Sequence, residues 1–157
     1  MSSAEPQAEP KAGPERRASS ARARFPRPEP DRDSAPWWEA VRRHELTVQR
    51  CEGCGTLRFP ARAVCNRCRG RAWEWVPARG TGRVYSWIVN HQVFMPAMAG
   101  EVPFPVLLVR LDDGEDLLMY GDLVDGSPGD LEPGLPVEAV FLDVDESTTL
   151  VGWRPLR

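Results

Sequence analysis

Histidine is scarce in this chain: His44 and His91 are the two in 157 residues. Neither stands beside a Ser, Cys or Asp arrangement that would make it a general base, so the usual nucleophile–base signatures are missing. A glycine-rich loop able to cradle phosphates is missing as well. No stretch approaches the ~18 consecutive apolar residues of a membrane-spanning helix. Cysteine is limited to four residues, grouped in two C-x-x-C pairs rather than spread as a disulfide framework, which points to a reducing, cytoplasmic setting. Large apolar side chains are nearly absent before Trp37, where Phe25 is the one after Met1, while seven of the sixteen prolines crowd there. Such a segment cannot bury enough surface to offset the entropy of ordering, so residues 1–33 are expected to form a disordered tail rich in Pro, Arg and Ala. The tail also lacks the apolar centre of a secretory signal, and Glu5, Glu9 and Glu15 argue against a transit peptide.

The cysteines that are present follow the pattern C-x2-C-x10-C-x2-C: Cys51 and Cys54, then Cys65 and Cys68. Two C-x-x-C turns aim four thiolates at one point, which is a tetrahedral metal site. Four thiolates leave no open coordination position, so the metal is expected to be structural. Zn2+ is the expected ion, and iron in a rubredoxin-like site is the alternative. Gly55 follows the first pair, where the turn needs a backbone tolerant of positive φ. Residues 34–79 read as a helix plus a zinc ribbon. Ser34-Ala35-Pro36 resembles a helix start, with Ser34 as cap and Pro36 in the first turn. Trp37, Trp38, Val41 and Leu46 fall on its apolar stripe. Leu46–Arg50 and Ala72–Val76 read as the ribbon's strands. About 40 residues have almost no core of their own, so the metal must supply much of the folding energy.

From Gly80 onward the texture is β. Segments 84–93, 105–111, 116–121, 137–142 and 148–153 read as five short strands, the first with Tyr85, Trp87, Val89 and Val93 on one face. Five strands with no helix among them suggest a small closed barrel, the OB-fold being the leading case. The expected architecture is mainly β: an N-terminal helix, a rubredoxin-like zinc ribbon, then a five-stranded OB-fold barrel over 80–157. Asp112-Asp113-Gly114-Glu115-Asp116 has the composition of a cation loop but not its ligand spacing, so it reads as a turn. The apolar loop Phe94–Phe104 carries Met95 and Met98. Two readings stand for it, a flap over the barrel mouth or an adaptable surface for a partner or an acyl chain. Two stand for the adjacent tryptophans as well: packing on the chain's own ribbon, or a partner surface for at least one of them.

Charge is unevenly distributed. Residues 37–79 hold nine Arg and four Glu, net +5, whereas residues 80–157 hold four Arg and thirteen acids, net −9. A strongly acidic barrel repels polyanions, so nucleic acid is not the expected partner, although single-strand binding remains an alternative for a ribbon joined to an OB barrel. The basic ribbon suits a small phosphate-bearing ligand, with Arg58, Arg62 and Arg67 as candidates; simple solubility is the competing explanation for its arginines.

The ordered set of motifs from about 36 to 157 carries a resemblance. Trp37-Trp38-Glu39-Ala40 precedes Cys51-x-x-Cys54-Gly55, Arg58-Phe59-Pro60 and Cys65-x-x-Cys68. After these come Gly80-x-Gly82-x-Val84-Tyr85-Ser86, Val102-Pro103-Phe104, Leu111-x-Asp113-Gly114, Gly134-x-Pro136-Val137 and Trp153-Arg154-Pro155. Together they resemble the acyl-CoA-associated zinc-ribbon plus OB-fold family known as domain of unknown function thirty-five. The resemblance implies a non-catalytic accessory subunit that binds and completes a thiolase-like or lipid-transfer-protein-like enzyme acting on acyl-CoA, as in lipid or steroid side-chain metabolism. On that reading no residue of this chain is catalytic. Trp37, Trp38, Phe94, Met95, Met98 and Phe104 would contact the enzyme, and Arg58, Arg62 and Arg67 would meet CoA phosphates. A rubredoxin-like electron carrier is the remaining alternative.

Overall fold

The computed structural model of the chain describes residues 25–156. Most of the expected tail, residues 1–24, lies outside them. The rest of it, 25–33, runs along the folded body: Phe25 meets Phe104 edge-on with centroids 5.1 Å apart, and Arg27 pairs with Asp145 at 2.8 Å. Asp31 then prepares the helix. Its carboxylate accepts the Ser34 N–H at 2.7 Å and the Ser34 hydroxyl at 2.6 Å, and these bonds hold its pKa below the usual value. Ser34 is the N-terminal boundary residue, but its hydroxyl turns back to Asp31 instead of capping the helix. Helix α1 (Ala35–Arg42) starts with Pro36 in its first turn, where a missing N–H costs nothing. It buries Trp37, Ala40 and Val41.

Three short strands build the ribbon: β1 (Thr47–Cys51), β2 (Leu57–Arg58) and β3 (Trp73–Pro77), in the order β2-β1-β3. Five more close a barrel: β4 (Thr81–Asn90), β5 (Phe104–Leu111), β6 (Leu118–Leu123), β7 (Pro136–Asp145) and β8 (Thr148–Pro155). Their order is β4-β5-β6-β8-β7, with β6 and β8 parallel and the other pairs antiparallel. All five expected barrel strands are present, and the layout is that of an OB-fold. Among the described residues no helix is long and apolar enough to cross a membrane.

Ribbon and barrel share one core. Trp37, Val41, Leu46 and Val48 join Val84, Leu107, Val109, Leu117, Met119 and Trp153 in a single apolar cluster. The acidic turn between β5 and β6 clasps the junction from outside. Asp112 accepts the Thr81 hydroxyl at 2.7 Å, and the Asp113 carboxylate accepts the Arg79 N–H at 3.2 Å. The composition that hinted at a cation loop is used here to hold the chain between ribbon and barrel.

The facing of β4 differs from its sequence alternation. Gly82 and Val84 face inward, but pairing with β5 slips between Val84 and Ser86, and Tyr85 bulges outward, 49% exposed. Trp87 then packs against the core. A bulge adds one residue to a strand and reverses the facing of the residues beyond it, so Tyr85 and Trp87 do not share a face.

Candidate metal centre and surrounding surfaces

The two knuckles are built alike. In the first, the Gly55 N–H donates to the Cys51 carbonyl at 2.8 Å and the Cys51 N–H to the Thr56 carbonyl at 3.0 Å. In the second, the Arg69 N–H donates to the Cys65 carbonyl at 2.9 Å and the Cys65 N–H to the Gly70 carbonyl at 2.9 Å. Each turn needs one residue with positive φ: Gly55 at 70° and Arg69 at 62°. The second position carries a side chain where the first has glycine.

These turns bring the sulfurs of Cys51, Cys54, Cys65 and Cys68 within 4.8 Å of one another. Cys51 Sγ lies 3.5 Å from Cys68 Sγ, and Cys54 Sγ lies 3.7 Å from Cys65 Sγ. A tetrahedron with metal–sulfur bonds of ~2.3 Å has edges of ~3.8 Å, so the spacing fits a four-thiolate metal ion. Cys51 and Cys65 are buried, Cys54 and Cys68 exposed. Two glycines keep the surroundings open: a Cβ on Gly70 would lie 3.2 Å from Cys68 Sγ, and one on Gly53 3.5 Å from the same atom.

The thiols differ in acidity. Hydrogen bonds from the Thr56 hydroxyl and N–H bring Cys54 down to about 6. At Cys68 the Gly70 N–H favours the thiolate, but the facing Cys54 and Cys51 sulfurs outweigh it and push the group up to about 12. Backbone N–H groups of Cys68 and Arg67 lower Cys65. Four crowded thiolates therefore call for a cation among them, and the donor set suits a soft or borderline divalent ion. When bound, such an ion would supply structure rather than chemistry, because the four sulfurs complete its tetrahedral shell. Thr56, Gly53 and Gly70 shape the site without being ligands. Their spacing from the cysteines is a usable signal: Gly53 lies inside the first C-x-x-C turn, while Thr56 and Gly70 each stand two residues after a knuckle's second cysteine.

The other candidate residues scatter. Arg58 is 4% exposed and stands opposite the fully buried Gln49 in the β1–β2 register. Its guanidinium lies 5.9 Å from the Trp73 ring, and its nitrogens have no hydrogen-bond partner. The Arg62 N–H donates to Gln49 Oε1 at 3.0 Å, tying the chain after β2 over that face. A ligand arriving from solvent does not meet Arg58 while the ribbon is closed, whereas Arg62 and Arg67 are exposed. The tryptophans differ in burial, and both pack on the chain's own core. Trp37 is buried in the core, and Trp38 packs on it edge-on while lining a 380 Å³ groove with Pro28, Arg42 and Thr148. The Phe94–Phe104 loop divides: Met98 is 4% exposed on a turn of 3-10 helix, whereas Phe94 is 66% exposed. Met95 and Phe104 are half-buried. Of the histidines, His91 is exposed, and His44 reaches across to β7, its Nε2 2.9 Å from Asp143 Oδ1 and its ring stacked on Phe141.

Comparison with known proteins places this geometry. Residues 38–74 match the family model "ChsH2, rubredoxin-like zinc ribbon domain", and residues 75–142 match "ChsH2, C-terminal OB-fold domain". A "Probable enoyl-CoA hydratase alpha subunit" of Thermomonospora curvata is 42% identical over 130 residues, covering 83% of this chain and 40% of that protein. The chain thus spans about two fifths of that relative's length. A "DUF35 domain-containing scaffold protein" of Methanocaldococcus jannaschii is 33% identical over 111 residues, 70% of this chain and 77% of that one. "Benzoylsuccinyl-CoA thiolase subunit BbsA" of Thauera aromatica is 32% identical over 84 residues, 54% of each. A solved structure described as "Ltp2-ChsH2(DUF35) aldolase" superposes with a TM-score of 0.74 at 41% identity, covering 82% of this chain and 98% of that one.

Proposed function

The chain belongs to the DUF35 family of ChsH2-type zinc-ribbon plus OB-fold proteins, and from that membership we propose that it is a non-catalytic accessory subunit. It binds and completes a thiolase-fold enzyme, a thiolase, acyl-CoA synthase or aldolase, that acts on acyl-CoA. The observation that carries this reading is the likeness, over 98% of its length, to the DUF35 component of a two-part aldolase. The thiolase and hydratase subunits among the relatives also act within acyl-CoA chemistry by their names. The closed four-thiolate centre supports a structural role for the metal, with Zn2+ as the ion. Its work is to hold the ribbon sheet and α1 in place against the barrel.

Of the candidate partner-contacting residues Phe94 is exposed and Trp38, Met95 and Phe104 are half-buried, and of the candidate phosphate-contacting arginines Arg62 and Arg67 are exposed. Co-expression with the thiolase-fold enzymes of the source organism, followed by size-exclusion chromatography and an acyl-CoA cleavage assay, tests the reading. Expected is a stable hetero-oligomer and an enzyme whose activity depends on this chain. A chain that elutes alone beside each enzyme, with enzyme activity unchanged by its absence, would sink the proposal.

A further inference from the structure

The described residues of the acidic barrel include three arginines, and they are not alike. Arg154 pairs with Glu138 at 2.8 Å. Arg83 on β4 and Arg110 on β5 stand directly opposite each other, both exposed, and neither has an ion pair among the described residues. Opposite residues of an antiparallel pair point to the same side, and like charges in that arrangement are unfavourable. Both are nevertheless held in place. Arg110 lies over the ring of Tyr85 with its guanidinium carbon 4.7 Å from the centroid, and Arg83 Nη1 donates to the Gly134 carbonyl at 3.2 Å. One hydrogen bond anchors Arg83 and stacking anchors Arg110, which leaves most of their N–H groups undirected. A 410 Å³ groove lies between them, lined also by Asp112, Pro133 and Gly134. Asp112 is the carboxylate on its wall, and it is engaged by the Thr81 hydroxyl. On the same outer face are Tyr120 at 69% and Ile88 at 64% exposure, with Tyr120 aligned through Leu108 with Ser86, next to Tyr85.

We propose that the Arg83–Arg110 groove is a phosphate site, and that it takes a small phosphate ester whose planar ring rests on the neighbouring aromatic face. A phosphate between the two guanidinia relieves their repulsion and uses N–H groups that the one hydrogen bond and the stacking leave over. The net charge of the barrel does not preclude this, because exposed charges beyond about 8 Å are screened at physiological ionic strength. The ligand class rests on the accessory-subunit reading: the phosphorylated nucleotide half of an acyl-CoA has this chemistry. The phosphate site itself does not depend on that reading.

Isothermal titration of the metal-loaded full chain tests it, with inorganic phosphate, adenosine 3′,5′-bisphosphate, adenosine and a single-stranded oligonucleotide as probes. Expected is binding of the bisphosphate that exceeds that of inorganic phosphate, weakens with salt, and falls about tenfold or more in Arg83→Ala and in Arg110→Ala. Arg110→Lys keeps the charge but loses the stacked fork and should also weaken binding. Far-UV circular dichroism confirms that these surface variants stay folded. Several outcomes overturn the proposal: no binding of the bisphosphate at millimolar concentration, affinity unchanged in both alanine variants, a bisphosphate no tighter than phosphate, or binding confined to the oligonucleotide. A chain that joins its enzyme but fails these tests would leave the accessory role intact. A chain that binds the bisphosphate but joins no enzyme would do the reverse.

Discussion

Gly121 lies flat against the indole of Trp153: a Cβ placed on it would sit 2.6 Å from both Cδ1 and Nε1 of that ring and 2.8 Å from the Val151 carbonyl oxygen. Trp153 is fully buried and belongs to the core shared by ribbon and barrel. The contact falls where β6 meets β8 in the parallel pair that closes the barrel. Gly121→Ala should therefore overpack the seam and cost ~2–3 kcal/mol. Urea unfolding followed by circular dichroism measures it. A midpoint unchanged from the parent would mean that the indole can move aside.

Loss of the metal should reach beyond the ribbon. Val48 of β1, together with Trp37, Val41 and Leu46, packs in the same cluster as Leu107 and Trp153. Cys51, at the end of β1, is 1% exposed. Removing the ion, or making Cys51→Ala, releases β1 and uncovers one side of the barrel core. Expected are one metal per chain by elemental analysis and a single melting transition that falls for ribbon and barrel together. A barrel transition left in place after chelation would show that the two parts fold independently. The same elemental analysis decides between zinc and iron.

The two knuckles predict opposite results from exchanging one residue type. Arg69 holds a left-handed backbone that glycine adopts without steric cost, so Arg69→Gly should stabilise the metal-loaded chain by up to ~1 kcal/mol. Gly55→Ala introduces the same strain and should cost ~1 kcal/mol, although nothing lies within 4 Å of its Cβ position. Thermal melts with saturating metal read both. Equal destabilisation by the two variants would contradict the φ argument.

His44 and Asp143 set a pH dependence. The His44 hydrogen bond, then that of the Thr149 hydroxyl, hold the Asp143 pKa below its ordinary 3.8. A carboxylate with a depressed folded pKa contributes its stabilisation above the unfolded value and loses it as pH falls below about 4. Asp143 is 59% exposed in its side chain, so solvent screening limits the pair to at most ~1 kcal/mol. Asp143→Asn should lower stability slightly at pH 6 and bring variant and parent together near pH 3. A stability gap that stays constant across that range would remove the Asp143 carboxylate as its cause.

Some of this molecule is legible in its residues alone and some is not, for physical reasons. Cysteine spacing is local, so the knuckles and their four ligands can be read directly. Strand alternation and turn residues are local as well, which makes the five barrel strands readable. The bulge at Tyr85 has no residue signature, so the facing of β4 on either side of it is not legible. Arg58 is of an ordinarily exposed type, and its burial comes from pairing with Gln49 on a face that later chain covers. Met98 reads as part of an open loop, but the 3-10 turn at Pro96–Met98 carries it inward. The cross-strand meeting of Arg83 and Arg110, 27 positions apart, depends on register, and register is set by the whole hairpin.

Trp37 and Trp38 are adjacent, in edge contact at 4.7 Å, and yet should behave differently when truncated. Trp37 is 8% exposed and packs on Phe59 as well as the shared core. Trp37→Ala leaves a cavity and should cost ~3–5 kcal/mol, enough to unfold much of a marginally stable chain. Trp38 faces the groove beside Arg42 and Thr148 and is only partly buried. Trp38→Ala should cost less than half as much in stability. If this tryptophan is an interface anchor, the substitution should weaken binding to the proposed partner enzyme by ~2 kcal/mol, about thirtyfold. Denaturant melts and the affinity for the co-expressed enzyme separate these effects. A Trp38→Ala chain that keeps full affinity would move the interface off α1 and leave Phe94 as the exposed aromatic candidate to test next.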